Sequence, residues 1–407
     1  MCGMMTSLGR QVRVVAGTLL LLLAGACSDR SRVGNAPVAP SPMQPMSELA
    51  QIGELAFLER VLASSGRMSC ATCHDPAFHH GPPNTNPVQV GGTLMTEFGL
   101  RAAPSIRYLE RQPAFDREGL YGGLMADGRA ETLEALPHLP WFSTLEFGLD
   151  GHAELVRRLR LTVWAPRFFS YFGESTDDEV IVGQLAEAVA AFLREDPRLH
   201  PYDSKFDQVE AGRERFSAAE RRGRAVFRDP GRGNCAGCHP DTSADGKPPL
   251  FTDFRYAAQG LPRNAAIPAN QDPAHFDLGV CGPLRADLAL RKELCGMFRT
   301  PGLRNTAKRP RYFHNGVFSS LREVVDFYNS RDANPSRWYP EVDGAVQVFN
   351  DLPEALRANV TREAPFGTPR GGTPPMNARE MADLVCFLET LTDGHVAGTP
   401  PRAGCRG

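Results

Sequence analysis

Two short stretches decide the fold of this chain: Cys70-Ala71-Thr72-Cys73-His74 and Cys235-Ala236-Gly237-Cys238-His239. In each stretch two thiols lie three residues apart, and an imidazole follows the second thiol directly. On one helical turn such thiols can reach the two vinyl carbons of a haem, and the histidine can then bind the iron. With ten Cys and ten His in the chain, random placement yields about 0.006 such motifs. The two stretches therefore predict two covalently bound c-type haems, with His74 and His239 as iron ligands.

Two other uses of paired cysteines fit the motifs less well. A zinc site built from four cysteines would use both pairs, but it would leave the adjacent histidines without a role. A thioredoxin-like redox pair would need a βαβ pattern that the sequence lacks, and it would not need the histidine.

The bulk composition describes an ordinary globular protein that is large enough for two domains. The chain has 407 residues, of which 42% are hydrophobic and 23% are charged. The formal net charge of −2 gives no electrostatic basis for a nucleic-acid partner. The 39 glycines and 34 prolines predict long ordered loops between helices.

The N-terminal segment has the pattern of an export signal. Arg10 and Arg13 precede an apolar run over residues 14–23, which is too short to be a confident membrane span. Small residues then lead to Cys27, as in a bacterial lipoprotein cleavage site, so residues 1–26 are predicted to be removed and Cys27 to be lipidated. An ordinary signal peptide cut near Ala26 is the alternative. Residues 28–47 are predicted to form a flexible tether, and the protein is expected in the periplasm, anchored to a membrane by lipid.

The second half of the chain repeats the first in outline, which predicts a mainly α architecture with two cytochrome c-like haem domains related by internal duplication. We place the N-terminal haem domain at residues 48–205, the C-terminal haem domain at 206–395 and a tail at 396–407. The repeated features are Gly-x-x-x-Phe (Gly53 to Phe57, Gly223 to Phe227), Arg/Pro/Arg (Arg101, Pro104 and Arg107; Arg299, Pro301 and Arg304) and a Gly turn followed by Leu (Gly128 to Leu133, Gly316 to Leu321).

Three helix starts carry capping patterns. Four cysteines outside the two motifs can also be given a structural interpretation. Capping boxes are predicted from Thr176, Ser217 and Asn377. Cys281 and Cys295 lie in one loop region of an exported protein, so we predict a disulfide between them. Cys386 is interpreted as a small buried hydrophobic residue, while Cys405 is either free or paired with Cys386.

Over residues 48–395 the chain resembles the bacterial di-haem cytochrome c peroxidases and MauG, the di-haem enzyme of methylamine utilisation. The most specific stretches are Asp127-Gly128-Arg129-Ala130-Glu131-Thr132-Leu133-Glu134, Phe298-Arg299-Thr300-Pro301-Gly302-Leu303-Arg304-Asn305 and Tyr312-Phe313-His314-Asn315-Gly316. The resemblance implies that peroxide meets the N-terminal haem, and that the C-terminal haem passes electrons to it or stores oxidising equivalents.

The resemblance also implies roles for individual residues. His74 would be the proximal ligand of the peroxide-reacting haem, Glu134 its distal acid/base, and His239 the ligand of the electron-transfer haem. Cleaving an O–O bond needs a group that moves a proton between the two oxygens, which a carboxylate can do. Tyr328 would be the second ligand of the C-terminal haem, with His314 as its rival. The alternatives are that Glu134 only occupies an exposed helix face and that Tyr328 is a packed aromatic residue.

Four positions depart from the family pattern. No histidine lies between His80 and Pro104, so we expect the first iron to be open to peroxide from the start. Leu124 stands where a distal glutamine is common, and Tyr108 lies in the segment that often carries a tryptophan between the haems. The family's calcium ion is a further implied cofactor, although Ala102 stands where an asparagine commonly helps to bind it.

The leading functional hypothesis is therefore a peroxidase that reduces hydrogen peroxide with electrons from a donor such as a small cytochrome c. The runner-up is a MauG-like enzyme that uses a high-valent di-haem state to oxidise residues of a partner protein. The third hypothesis is a di-haem electron carrier, which would need both irons closed by two protein ligands. Relatives are often dimers, so a homodimer is also expected.

Overall fold

The computed structural model describes residues 45–407, so the predicted signal peptide, Cys27 and all but the end of the tether lie outside the described residues. Within the described range the structure is helical with little sheet. No helix of residues 45–407 is long and apolar enough to cross a bilayer. The α-helices are α1 Glu48–Leu58, α2 Cys70–Cys73, α3 His138–Trp141, α4 His152–Leu159, α5 Ala165–Phe172, α6 Asp178–Glu195, α7 Lys205–Glu210, α8 Ala218–Arg228, α9 Leu321–Ser330 and α10 Ala378–Glu389.

Sheet structure in this range is limited to two-residue strands paired antiparallel in three small ladders. The pairs are β1 Val90–Gly91 with β2 Glu97–Phe98, β3 Tyr256–Ala257 with β4 Phe298–Arg299, and β5 Glu341–Val342 with β6 Ala345–Val346. Long loops connect the helices, as the glycine and proline content predicts. The prediction of a mainly helical chain is confirmed.

Two helix pairs form the framework that carries the two motifs. A glycine brings α1 against α6: a Cβ on Gly53 would lie 1.9 Å from the carbonyl oxygen of Ala188 and 2.9 Å from Cβ of Phe192. On α8 a Cβ on Gly223 would lie at the same two distances, 1.9 and 2.9 Å, from the corresponding atoms of Asp383 and Phe387 on α10. Only glycine permits so close an approach of two helix backbones.

Each helix pair has its own hydrophobic core, and each core borders one motif. The core around α1, α4 and α6 includes the buried Trp141 and Phe168, and Cys70 and Cys73 pack against it. The core around α8, α9 and α10 contains a cluster of aromatic rings, and Cys235 packs against it. The aromatic members of this second core are Phe206, Phe216, Phe227, Phe251 and Phe387.

The helix caps and disulfides agree with the predictions made from the sequence, except at the cap of α6 and at Cys386. Ser217 and Asn377 form the expected capping boxes. At α6, however, the cap is Asp177 rather than Thr176, because the Asp177 carboxylate accepts the Glu179 amide hydrogen bond.

The predicted disulfide between Cys281 and Cys295 is present. Cys386 also forms a disulfide, with Cys405, so its interpretation as a buried hydrophobic residue alone was wrong. This bond joins the C-terminal tail to α10.

Candidate functional site

The first motif folds as one helical turn followed by a tight loop that supports its histidine. His74 directly follows α2, and its Nδ1 lies 3.4 Å from the carbonyl oxygen of His80. His79 and His80 both have left-handed backbone angles, with φ of 54° and 55°, which turn that carbonyl back towards His74. Burial, together with the positive charge of Arg309, lowers the pKa of His74 to about 4, so its imidazole is neutral.

The second motif supports its histidine in the same way. Cys235–Gly237 form a turn of 3₁₀ helix, and Nδ1 of His239 lies 2.8 Å from the carbonyl oxygen of Phe251. Burial lowers the pKa of His239, so this imidazole is also neutral. A hydrogen bond from Nδ1–H to a carbonyl fixes the tautomer in which Nε2 carries the free lone pair.

These two arrangements fit a haem at each motif. In both rings Nδ1 faces the supporting carbonyl, so Nε2 is the nitrogen that would bind iron. The four motif cysteines form no disulfides, and their side chains retain accessible surface. Cys238 is the exposed member of the four. An edge of a haem at this cysteine would therefore lie near solvent.

Glu134, the predicted acid/base, lies in the segment that follows the Asp-Gly-Arg element. Its Oε1 accepts a hydrogen bond of 2.6 Å from Nη2 of Arg194, at the end of α6, and its side chain is 45% exposed. Burial alone would raise the pKa of Glu134, but the hydrogen bonds that it accepts, chiefly from Arg194, lower it overall. The carboxylate is therefore charged and held by a partner that can be displaced at modest cost, since exposed ion pairs contribute about 0–1 kcal/mol.

Tyr328 and His314, the two rival ligands, have different surroundings. Tyr328 lies on α9, and burial together with the nearby Cys235 and Cys238 thiols raises the pKa of its hydroxyl. Its ring stacks on Phe366, with 5.1 Å between centroids. The second motif and Tyr328 are therefore close to one another.

His314 is engaged elsewhere. Its ring lies flat on Phe298, with 3.5 Å between centroids, and its Nε2 lies 3.3 Å from Oδ2 of Asp351.

Three residues that depart from the family pattern, Leu124, Ala102 and Tyr108, are held in place by burial or by hydrogen bonds. Leu124 is buried in the first core, 3% exposed, and the amide of Ala102 donates a hydrogen bond to the carbonyl of His314. The Tyr108 hydroxyl donates a 2.5 Å hydrogen bond to Oδ1 of Asp393, and its ring meets Tyr202 edge-on with 4.8 Å between centroids.

Asp393 joins the two halves of the sequence at this point. It also accepts a hydrogen bond from the side chain of Asn305 and lies 3.4 Å from Nη2 of Arg107. Burial raises the pKa of this carboxyl even though it accepts these hydrogen bonds. We call this group of side chains, Tyr108, Arg107, Asn305 and Asp393, the aspartate junction.

Two charged residues near the first motif were missed by the sequence analysis. Burial raises the pKa of Glu146, whose charge acts on both Cys70 and Cys73. Arg309 acts on His74 from the second half of the chain. Neither residue belongs to a recognisable motif, and each reaches the site through a long-range contact that spacing along the sequence does not encode.

Comparison with known proteins finds similarity to di-haem peroxidases and to MauG. Residues 47–215 match the family model described as di-haem cytochrome c peroxidase. MauG of Paracoccus denitrificans is 32% identical over 369 residues, covering 85% of this chain and 88% of that protein. The cytochrome-c peroxidase IdrP1 of a Pseudomonas species is 26% identical, covering 76% and 81%. The crystal structure of the diheme peroxidase BthA from Burkholderia thailandensis is similar, with a TM-score of 0.80, 37% identity and coverage of 91% and 92%.

Proposed function

Because this chain belongs to the di-haem cytochrome c peroxidase and MauG family of oxidoreductases, we propose that it reduces hydrogen peroxide at its N-terminal haem. The electrons would come from an external donor, such as a small cytochrome c, through the C-terminal haem. The observation that carries the proposal is the difference between the two motifs. Tyr328 lies near the thiols of the second motif, whereas the loop after the first motif places the His80 carbonyl at Nδ1 of His74 and the His79 ring at Arg107.

With these contacts, His79 and His80 would not serve as a second ligand to an iron held by Nε2 of His74. The His80 carbonyl faces Nδ1 of His74, and the His79 ring lies 3.2 Å from a guanidinium nitrogen of Arg107. The proposal therefore leaves one coordination position at the N-terminal haem for peroxide, while Tyr328 closes the C-terminal haem. A haem with an open position can bind and cleave peroxide, whereas a pure electron carrier has none.

The proposal includes covalent attachment of the haems through Cys70 and Cys73 and through Cys235 and Cys238. It also includes two haem domains, residues 48–205 and 206–395, related by duplication. The equal close approaches at Gly53 and Gly223 support this domain plan, since each occurs on the helix before one motif.

Glu134 is the proposed acid/base at the N-terminal haem. As a carboxylate it can accept the proton of peroxide at Oε2 while Arg194 holds Oε1. The same carboxyl can then deliver that proton to the leaving oxygen. Because Arg194 lowers the pKa of Glu134, the accepting form is present down to acidic pH.

Electrons are proposed to enter at the exposed Cys238 and to pass between the haems by way of Tyr108 or directly. Exposure matters because electron transfer from a separate protein requires a cofactor edge near the surface. Asp253 and Glu363 act electrostatically on Cys238, so we expect the donor to present positive charge here. The hydrogen bond from Tyr108 to Asp393 provides a proton acceptor for an oxidised tyrosine.

A MauG-like oxidation of a partner protein is the second candidate, and Tyr328 is the observation that favours it. A phenolate ligand lowers the reduction potential of iron and stabilises its oxidised states, whereas methionine raises the potential. The same active site could then retain oxidising equivalents until a protein substrate binds.

We also propose export to the periplasm, with residues 1–26 as signal peptide and Cys27 as the lipid anchor. The two disulfides support an oxidising compartment. A homodimer remains part of the proposal. A calcium ion would have to bind without a side-chain oxygen from Ala102.

The experiment that tests the proposal is rapid mixing of the di-haem protein with peroxide, followed by addition of reduced cytochrome c. Fast repeated turnover supports the peroxidase, whereas an oxidised state that persists until a protein substrate is added supports the MauG-like alternative. Glu134→Gln should slow the reaction with peroxide by about 10²–10⁴-fold. Glu131→Gln, which changes an exposed carboxylate of the same segment, is the control. Equal rates in both variants would exclude Glu134 as the acid/base.

A further inference from the structure

Arg309 is a cation enclosed by protein beside the first motif. It comes from the second half of the chain and donates a hydrogen bond to the carbonyl oxygen of Ala103. Its Nη1 lies 3.3 Å from the position that a Cβ on Gly81 would take, in the loop that supports His74. Burial lowers the pKa of Arg309 to about 10, so the guanidinium is still charged at neutral pH.

Three other arginines with buried guanidinium groups each pair with a carboxylate at hydrogen-bond distance. Arg309 has no carboxylate partner among the described residues. The paired examples are Arg101 with Asp127 and Asp277 at 2.7 and 2.6 Å, Arg304 with Asp207 at 2.8 Å, and Arg331 with Asp332 at 2.8 Å.

Arg299 also lacks a carboxylate, but its surroundings differ from those of Arg309. The Arg299 guanidinium donates to three uncharged acceptors, on Met125, Gln112 and Thr300. Arg309 donates to a single carbonyl, although a guanidinium has five N–H groups. Arg309 is half-buried rather than fully buried, so its remaining N–H groups can reach a further acceptor.

An enclosed cation without an anion is costly, because burial removes its hydration without replacing it. The structure therefore needs an anionic group in the space beside Arg309. A haem bound at His74, which rests on the proposed function, would carry two propionate groups, which are anions that a guanidinium can bind. No carboxylate of the described residues fills that role.

We propose that Arg309 binds a propionate of the N-terminal haem and places a fixed positive charge beside His74 that stabilises the reduced iron. This is a positioning and electrostatic role, and it acts on one haem of the two. The second motif has its own histidine and its own supporting carbonyl on Phe251, so the C-terminal haem serves as an internal reference in every measurement.

The test is a redox titration of the full-length di-haem protein in which each haem is followed by its own absorption or resonance signal. In Arg309→Gln the ratio of reduced to oxidised N-terminal haem at a fixed potential should fall about tenfold, which is about 59 mV for a one-electron couple. The C-terminal haem should not shift. In Arg309→Lys, which keeps the charge, the potential of the N-terminal haem should shift less than in Arg309→Gln. The lysine variant also provides a measurement if the glutamine variant fails to fold.

Lys308→Gln is the matched control, since it removes an exposed positive charge from the adjacent position. The inference would be overturned if the reduction potential of the N-terminal haem were unchanged in Arg309→Gln. It would also be overturned if Lys308→Gln shifted that potential equally. A wild-type potential that depends on added phosphate would also overturn it, because a free anion rather than a propionate would then occupy the site. Haem content distinguishes these failures from failure of the premise, because protein purified without haem at His74 would contradict the haem attachment included in the proposed function.

Discussion

Replacing either helix-crossing glycine by alanine should destabilise the protein to a similar extent. In Gly53→Ala the new Cβ would lie 1.9 Å from the Ala188 carbonyl oxygen, and in Gly223→Ala it would lie 1.9 Å from that of Asp383. Each helix would have to move by more than about 1 Å to restore an ordinary contact. The obstacle is backbone in both cases, so a change of side-chain rotamer cannot relieve it.

The size of the effect follows from two opposing contributions. Overpacking a well-packed interface costs about 1–3 kcal/mol, and a backbone clash belongs at the upper end of that range. Replacing glycine by alanine inside a helix contributes about 0.5–1 kcal/mol in the opposite direction. We therefore expect each variant to lose about 2 kcal/mol of unfolding free energy.

The assay is urea unfolding of the haem-loaded protein, followed by circular dichroism and by haem absorption. Gly183→Ala is the control: Gly183 lies within α6, yet a Cβ there would meet nothing within 4 Å. This variant should be more stable than the wild type by about 0.5–1 kcal/mol. Wild-type stability in Gly53→Ala would refute the reasoning from the close approach. A loss in only one of the two crossing variants would contradict the proposed equivalence of the halves.

Three further predictions concern the site and the tail. Tyr328→Phe should change the spectrum of the C-terminal haem and leave the N-terminal haem unchanged; an unaltered spectrum would mean that another residue is the ligand. Arg194→Gln should raise the pKa of Glu134, so the acid limb of the pH dependence of the peroxide reaction should move to higher pH, whereas Arg194→Lys should largely restore it. If the acid limb did not move, Arg194 would not control the pKa of Glu134. Cys386→Ser should lower the unfolding free energy by about 3 kcal/mol, since the disulfide to Cys405 closes a loop of roughly 20 residues; a calorimetric change of less than about 1 kcal/mol would contradict this loop-closure expectation.

Much of the helical framework could be predicted from the sequence because its signals are local. The Gly-x-x-x-Phe patterns at Gly53 and Gly223 lie on the helices that cross α6 and α10. The caps at Ser217 and Asn377 follow from residues three positions apart. The cap of α6 was misplaced by one residue because Thr176 and Asp177 are both good cap residues, and the sequence alone does not choose between them.

The candidate site could be predicted only in part. Both histidine positions follow from the motifs, but their supporting carbonyls belong to His80 and Phe251, which no spacing rule identifies. Arg194 lies 60 residues after Glu134, and Arg309 reaches the first motif from the other half of the chain. Electrostatic contacts of this kind depend on tertiary packing, so the sequence does not reveal them.

The aspartate junction couples the two halves of the sequence through buried polar contacts. Asp393 belongs to one half and Tyr108 to the other, and their buried hydrogen bond crosses between them. A fragment that ends near residue 205 would expose Tyr108 and Arg107 to water, and the remaining fragment would keep a carboxylate with half of its partners missing. A substitution at Tyr108 or Arg107 is therefore felt by Asp393, about 285 residues further along the chain.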